Sequence, residues 1–311
     1  MSIILKELIQ DYLEYLEVER NSSKLTIRDY RHYLEVFDNW YKKNYPEKTL
    51  EDLDLQIIRR YRIFLVNKTD EKGIPIKKIT QNYYVIALRS FLKYLIRNDY
   101  KTIEPTKLEL PKTESRSLKF LDRELIEKLL TAPDTSTEEG IRDRAILELL
   151  FSTGLRVSEL VKLNHDELNF ERREFGIIGK GGRARVVFLS DNAIDWIRRY
   201  LSVRIDGYRP LFIRYSGRVS KDNDGEKMRL TVRSVQRVVK KYVKAARIPI
   251  DASVHTLRHS FATDLLSNGA DIRSVQEMLG HKNIATTQIY THVTNKQLRD
   301  VHKSFHSGNK D

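Results

Sequence analysis

Three separate stretches of the second half of this chain carry residue types suited to phosphate chemistry. The first is Ser253-Val254-His255-Thr256-Leu257-Arg258-His259-Ser260-Phe261-Ala262-Thr263. On a helix His255 and Arg258, three apart, share a face, while Leu257, Phe261 and Leu265 form a separate stripe expected to be buried. Ser253 precedes them as an N-cap, so a proton carrier and a guanidinium fork stand in the first turns, where backbone N–H groups favour an anion. The second is Ser152-Thr153-Gly154-Leu155-Arg156-Val157-Ser158-Glu159-Leu160, in which Gly154 permits a sharp turn and Arg156 opens a new helix. Two such arginines can grip the nonbridging oxygens of one phosphodiester and stabilise the charge of its transition state. The plainer readings are a solvated basic face for His255 and Arg258, and a surface salt bridge to Glu159 for Arg156. The third stretch, Met278-Leu279-Gly280-His281 and on to Tyr290, sets a histidine just past a glycine-ended helix and a tyrosine nine residues later.

Composition narrows the chemistry. With no cysteine among 311 residues, thiolate nucleophiles, disulfides and cysteine-type zinc sites are excluded, so catalysis falls to oxygen and nitrogen groups. Lys plus Arg number 56 against 43 Asp plus Glu, a net charge of +13, which points to an anionic partner, nucleic acid ahead of a membrane surface. Residues 1–110 hold 20 basic and 17 acidic side chains and the remainder 36 and 26, so the excess lies mostly in the second part. No apolar run approaches the roughly 18 residues of a transmembrane helix. The N-terminus lacks the basic start and long apolar stretch of a secretion signal, so the expected location is the cytoplasm.

These residues need a scaffold, and the periodicity predicts one that is mainly α-helical with a small antiparallel β-sheet in the second of two domains. Apolar positions recur at helical spacing through Leu5, Leu8, Ile9, Tyr12 and Leu16, then Tyr30, Tyr33, Leu34, Phe37 and Tyr41, with further helices around Ile57–Val66 and Tyr83–Ile96. That is a bundle of four or five helices, with the aromatic stripe Tyr30, Tyr33, Phe37 read as core. Residues 108–117, with Pro111 and alternating charge, read as a linker between domain 1–107 and domain 118–311. Beyond it, Asp122 caps one helix and a second runs from about Glu139 to Gly154. Two β-rich runs, Glu174–Ile178 and Arg185–Leu189, flank Gly179-Lys180-Gly181-Gly182, which makes a hairpin with Lys180 at its tip. Helices resume at Asp191. Residues 216–227 read as a mobile loop, and helices follow at roughly 231–246, 254–267 and 271–279. The tail carries an apolar stripe of Leu298, Val301 and Phe305 too short to stand alone, and so expects a neighbouring protomer.

Taken together, Thr153-Gly-Leu-Arg156-Val-Ser-Glu159-Leu, His255-Thr-Leu-Arg258-His259, Leu279-Gly-His281 and Tyr290 resemble, in order and spacing across residues 118–295, the tyrosine recombinase (phage integrase) family. The compact length looks most like its Xer-type members. The resemblance implies a C-shaped DNA clamp whose helical N-terminal, SAM-like domain grips the far face of the duplex. It implies Tyr290 as the nucleophile that forms a 3′-phosphotyrosyl bond, conserving the phosphodiester energy without ATP. Arg156 and Arg258 would hold the phosphate, His255 assist proton transfer, Lys180 protonate the departing 5′ oxygen and His281 donate a hydrogen bond to the phosphate. Glu159 would orient the arginine helix and His259 support the site from behind. Arg183 and Arg185 compete with Lys180 for its role. No cofactor and no metal are implied. The implied partners are double-stranded DNA with a short two-arm site and further protomers, as a homotetramer or a paired heterotetramer on DNA; an accessory translocase is a further candidate, and a membrane is not. The implied task is resolution of chromosome or plasmid dimers.

Two same-chemistry alternatives are a mobile-element integrase or excisionase and a type IB-like topoisomerase that works as a monomer. Outside that chemistry, His255, His259 and Asp264 suggest a metal hydrolase, which lacks the Glu after the first histidine of the common zinc-protease helix. A DNA-binding protein without catalysis would not need all six candidate residues.

Overall fold

The computed structural model describes residues 5–110, 119–179, 182, 184–217 and 224–280. The chain divides into two compact units, Met1–Ser115 and Arg116–Asp311. The first holds four helices among its described residues: α1 (Leu5–Val18), α2 (Lys24–Asn44), α3 (Leu55–Asn67) and α4 (Lys78–Arg97). Ser23 and Asp54 start α2 and α3 by accepting the N–H groups of Thr26 and Ile57. The core lies where Tyr12, Leu34, Phe37, Tyr61, Phe91 and Leu95 meet, and Tyr30 and Tyr33 pack against it half-buried. The aromatic stripe of α2 is therefore core, as its spacing predicts. Leu108 is buried in this same core.

The second unit is built on α6 (Glu138–Thr153), with α5 (Arg123–Thr131) before it and the single turn α7 (Val157–Leu160) after it. Asp122 accepts the N–H of Leu125 and so caps α5. Then come β1 (Glu174–Ile178), β2 (Ala184–Phe188), α8 (Asp191–Val203), α9 (Val232–Ala245), α10 (Val254–Ser267) and α11 (Ile272–Leu279). The strands form an antiparallel hairpin in which Ile178 pairs with Ala184 and Ile177 with Arg185. Side chains alternate across a strand, so Phe175, Ile177 and Val187 face the core while Ile178, Val186 and Phe188 face outward. By the same alternation Arg185 points inward with Val187.

Helix α6 is sheathed by α8, α9 and α10, and its apolar residues from Ala145 to Leu150 are buried on all sides. Arg142 and Asp143 are buried there too; Asp143 accepts from Arg142 and from the hydroxyl of Tyr242 on α9. Two expectations are corrected. The stripe Leu257, Phe261, Leu265 on α10 is not uniformly buried: Leu257 is fully enclosed, but Phe261 and Leu265 are half-buried and line a cavity with Phe188 and Met278. The stretch read as a mobile loop ends in an ordered turn, Glu226–Met228, with Met228 buried. Arg229 anchors that turn by donating to the Val161 and Leu163 carbonyls; residues 218–223 lie outside the described residues. No helix among the described residues is long and apolar enough to cross a membrane.

Candidate active site

Helix α6 ends at Gly154, whose φ of 58° is left-handed and whose N–H returns to the Leu150 carbonyl. A Cβ there would stand 2.5 Å from Cδ1 of Phe261. Both the backbone and the approach of α10 therefore require glycine. The sharp exit leaves Arg156 as the residue that caps α7. Glu159, one turn on, reaches back: its Oε2 accepts the Arg156 backbone N–H at 2.9 Å and its Oε1 accepts Nη1 of the same arginine at 2.9 Å. The salt bridge anticipated as a surface contact is thus largely enclosed, since Glu159 is buried, while the Arg156 side chain keeps 30% of its surface exposed.

Ser253 caps α10 in a capping box with Thr256, as its position predicts. His255 on the first turn is exposed, but Arg258 is only 5% exposed, which overturns the reading of both as one solvated face. The Arg258 guanidinium donates from Nη1 to the Gly154 carbonyl at 2.6 Å and from Nη2 to the Leu279 carbonyl at 2.5 Å. Both acceptors lie at helix C-terminal ends, where carbonyls lack intrahelical partners and carry negative partial charge. Leu279 precedes Gly280, a second left-handed corner with φ of 64° that ends α11. One guanidinium therefore ties the turn that carries Arg156 to the corner from which the chain leaves for His281. Ser260, also on α10, accepts the Leu121 N–H at 2.8 Å and donates to the Thr256 carbonyl, fixing the helix to the start of the unit.

His259 is half-buried, and its pKa is lowered first by burial and then by the neighbouring His255 and Arg258 charges. It is consequently a neutral group at pH 7. Burial alone would raise the Glu159 pKa, but hydrogen bonds from Arg185 and from Arg156 outweigh it and hold the carboxyl below its ordinary value. Glu159 stays ionised between two guanidinium groups.

Of the six predicted site residues, the structure brings Arg156 and Arg258 to one place and sets His255 on the same helix as Arg258. Lys180 belongs to the loop between β1 and β2 and, with His281 and Tyr290, lies outside the described residues, as do Arg183 and the tail stripe of Leu298, Val301 and Phe305. Among the described residues no group of three His, Cys, Asp or Glu side chains could hold a metal ion, so His255, His259 and Asp264 do not form one. The residue whose place in the site was missed is Arg185. It entered only as a competitor of Lys180, yet it forks onto Glu159, with Nη1 3.2 Å from Oε1 and Nη2 3.0 Å from Oε2. The signal for it was present in the period-two alternation, which aims residue 185 at the interior with Val187.

The arrangement sets two guanidinium groups, of Arg156 and Arg185, on one carboxylate, and a third, of Arg258, on the two helix ends beside it. The remaining positive charge suits an oxyanion, and a forked donor suits phosphate. Known proteins are similar to this chain in sequence and in fold. The phage integrase family model matches residues 119–297, and the phage integrase N-terminal SAM-like domain matches residues 9–99. The tyrosine recombinase XerD of Listeria monocytogenes is 38% identical, over 97% of this chain and 99% of the relative. That of Staphylococcus haemolyticus is 35% identical over the same shares. In fold, the chain is similar to the crystal structure of the XerH site-specific recombinase bound to palindromic difH substrate in a post-cleavage complex. The TM-score is 0.71 at 24% identity, over 91% of this chain and 81% of that one. It is also similar to a lambda integrase dimer bound to a COC′ core site, with a TM-score of 0.69 at 17% identity, over 95% and 79%. With both units matched and the relatives aligned nearly end to end, the chain belongs to the phage integrase family as a Xer-type tyrosine recombinase, an enzyme that breaks and rejoins DNA at specific sites.

Proposed function

We propose that this recombinase resolves chromosome or plasmid dimers by exchanging strands at a short two-arm site in double-stranded DNA. Tyr290 attacks the scissile phosphate; the bond from its hydroxyl oxygen to phosphorus forms as the bond to the 5′ oxygen breaks. Lys180 delivers the proton that this oxygen needs to leave as a hydroxyl. Arg156 and Arg258 hold the nonbridging oxygens, His281 donates a further hydrogen bond, and His255 takes up the tyrosine proton. Attack by the 5′ hydroxyl of the exchanged strand reverses these steps. The observation that carries the reading is the Arg258 guanidinium, which links the Arg156 turn to the Leu279–Gly280 corner and so gathers three separated motifs around one point.

The helical unit of residues 1–107 and the catalytic unit both contact the duplex in this reading. Four protomers, of one kind or two, assemble on paired sites. The tail stripe Leu298, Val301, Phe305 docks on a neighbour, DNA supplying the local concentration that drives association. The enzyme acts in the cytoplasm, and an accessory translocase controls when exchange proceeds. The reading is tested with nicked suicide duplexes carrying candidate sites from the DNA flanking the gene, beside a plasmid bearing two such sites. A covalent adduct at one defined position in each arm, with resolution of the two-site plasmid, is expected. Relaxation of a supercoiled plasmid without a site, by the protein as a monomer, would instead assign the topoisomerase role.

The role of Lys180 has its own expected result. A substrate with a 5′-bridging phosphorothiolate offers a sulfur leaving group that needs no proton, so it restores cleavage by Lys180→Ala. It leaves Arg156→Ala defective. Rescue of Arg183→Ala in place of Lys180→Ala would move the proton-donor role to Arg183.

A further inference from the structure

Arg185 is a costly residue for the position it occupies. It faces inward from β2 with its side chain 11% exposed, and its Nε is buried with no hydrogen-bond partner among the described residues. The neighbouring inward positions, Phe175, Ile177 and Val187, are apolar. An apolar residue there would be no worse for the fold, since a buried ion pair seldom exceeds its own desolvation cost. The presence of arginine thus asks for a reason other than stability.

Its contacts supply one. Among the described residues Glu159 receives four hydrogen bonds: from Nη1 and the backbone N–H of Arg156, and from Nη1 and Nη2 of Arg185. With Arg185 absent, Arg156 would be the sole counter-charge of a buried carboxylate and would be drawn onto it. With Arg185 sharing the load, one nitrogen of the Arg156 guanidinium suffices, and the group stays part-exposed at a fixed angle. The same Arg185 guanidinium abuts the corner that ends α11: a Cβ on Gly280 would stand 3.0 Å from its Nη1. Arg185 also sits near the start of β2, just past the loop that carries Lys180. It thus touches, or adjoins, three of the four segments that carry the proposed catalytic residues, α10 being the fourth.

We propose that Arg185 is a positioning residue that sets the Arg156 guanidinium through Glu159, so that the hairpin must be seated before the phosphate grip is complete. The proposal rests on the reading of Arg156 as a phosphate-holding group.

The test is a double-mutant cycle in the full-length protein on a suicide duplex, following DNA affinity and the single-turnover rate of adduct formation. Arg185→Ala is expected to slow adduct formation by about thirtyfold or more while affinity stays within about threefold, the size expected when a fork is misplaced rather than removed. Arg185→Lys, which restores charge without the fork, recovers part of the rate. The decisive arm is Arg185→Ala combined with Glu159→Gln. If Arg185 acts through Glu159, the double variant is no slower than the slower single variant. Multiplied losses would show that Arg185 acts on its own and overturn the proposal, as would affinity falling in step with rate. Thermal melting runs alongside, and if Arg185→Ala does not fold the same cycle is closed with Arg185→Lys. Arg156→Ala is the reference: should it cleave at the wild-type rate, the reading of Arg156 itself fails, an outcome distinct from additivity in the cycle.

Discussion

Tyr290→Phe retains DNA affinity within a few fold and forms no covalent protein–DNA adduct. The ring is kept, so packing and shape are kept, and only the attacking oxygen is lost. The five tyrosines of the second unit are Tyr200, Tyr208, Tyr215, Tyr242 and Tyr290. Burial raises the hydroxyl pKa of Tyr200, Tyr215 and Tyr242, and the Tyr242 hydroxyl donates to buried Asp143, so these three are poor nucleophiles in their present places. Denaturing gels of the suicide-duplex reaction read the result directly. An adduct retained by the Phe variant would show that another oxygen attacks.

Arg258→Ala produces the second large effect, and it differs in kind from Arg156→Ala. Removing one preorganised donor to a developing oxyanion costs roughly a hundred- to a thousandfold in rate, and both variants are expected to show at least that in single-turnover cleavage. Arg258→Ala also strips the donor from two carbonyls, those of Gly154 and Leu279, at the interior junction of three helices. Unsatisfied buried acceptors cost about 1–3 kcal/mol each, so urea unfolding should show a loss of several kcal/mol for Arg258→Ala. For Arg156→Ala the loss is much smaller, because Glu159 keeps its fork from Arg185. Arg258→Lys rescues neither property, since a single ammonium cannot span both carbonyls in the geometry of the fork. Equal stability losses in the two alanine variants would contradict the account of Arg258 as the clasp between helix ends.

The difference between these arginines marks where sequence reasoning stops. Helices, caps and the hairpin were legible because each depends on residues a few positions apart. Ser253 with Thr256, Asp122 with Leu125, Gly154 after α6 and the alternation of the strands all act within one turn or one pleat. The order of motifs was equally legible, and with it the family and the chemistry. What only the tertiary structure decided is how each charged group is held. Arg258 reads as a surface residue from its own helix, yet it is buried because its acceptors lie 104 and 21 residues away, on helix ends that packing brings together. Glu159 reads as the local partner of Arg156, yet it also takes a two-pronged fork from Arg185, 26 residues on. Phe261 and Leu265 fit a buried stripe by spacing, but beside their packing against α11 they border a cavity, which leaves them half-buried. Periodicity can name the face on which a side chain stands; which distant carbonyl, carboxylate or void meets that face is set by the packing of whole elements, for which no local pattern exists.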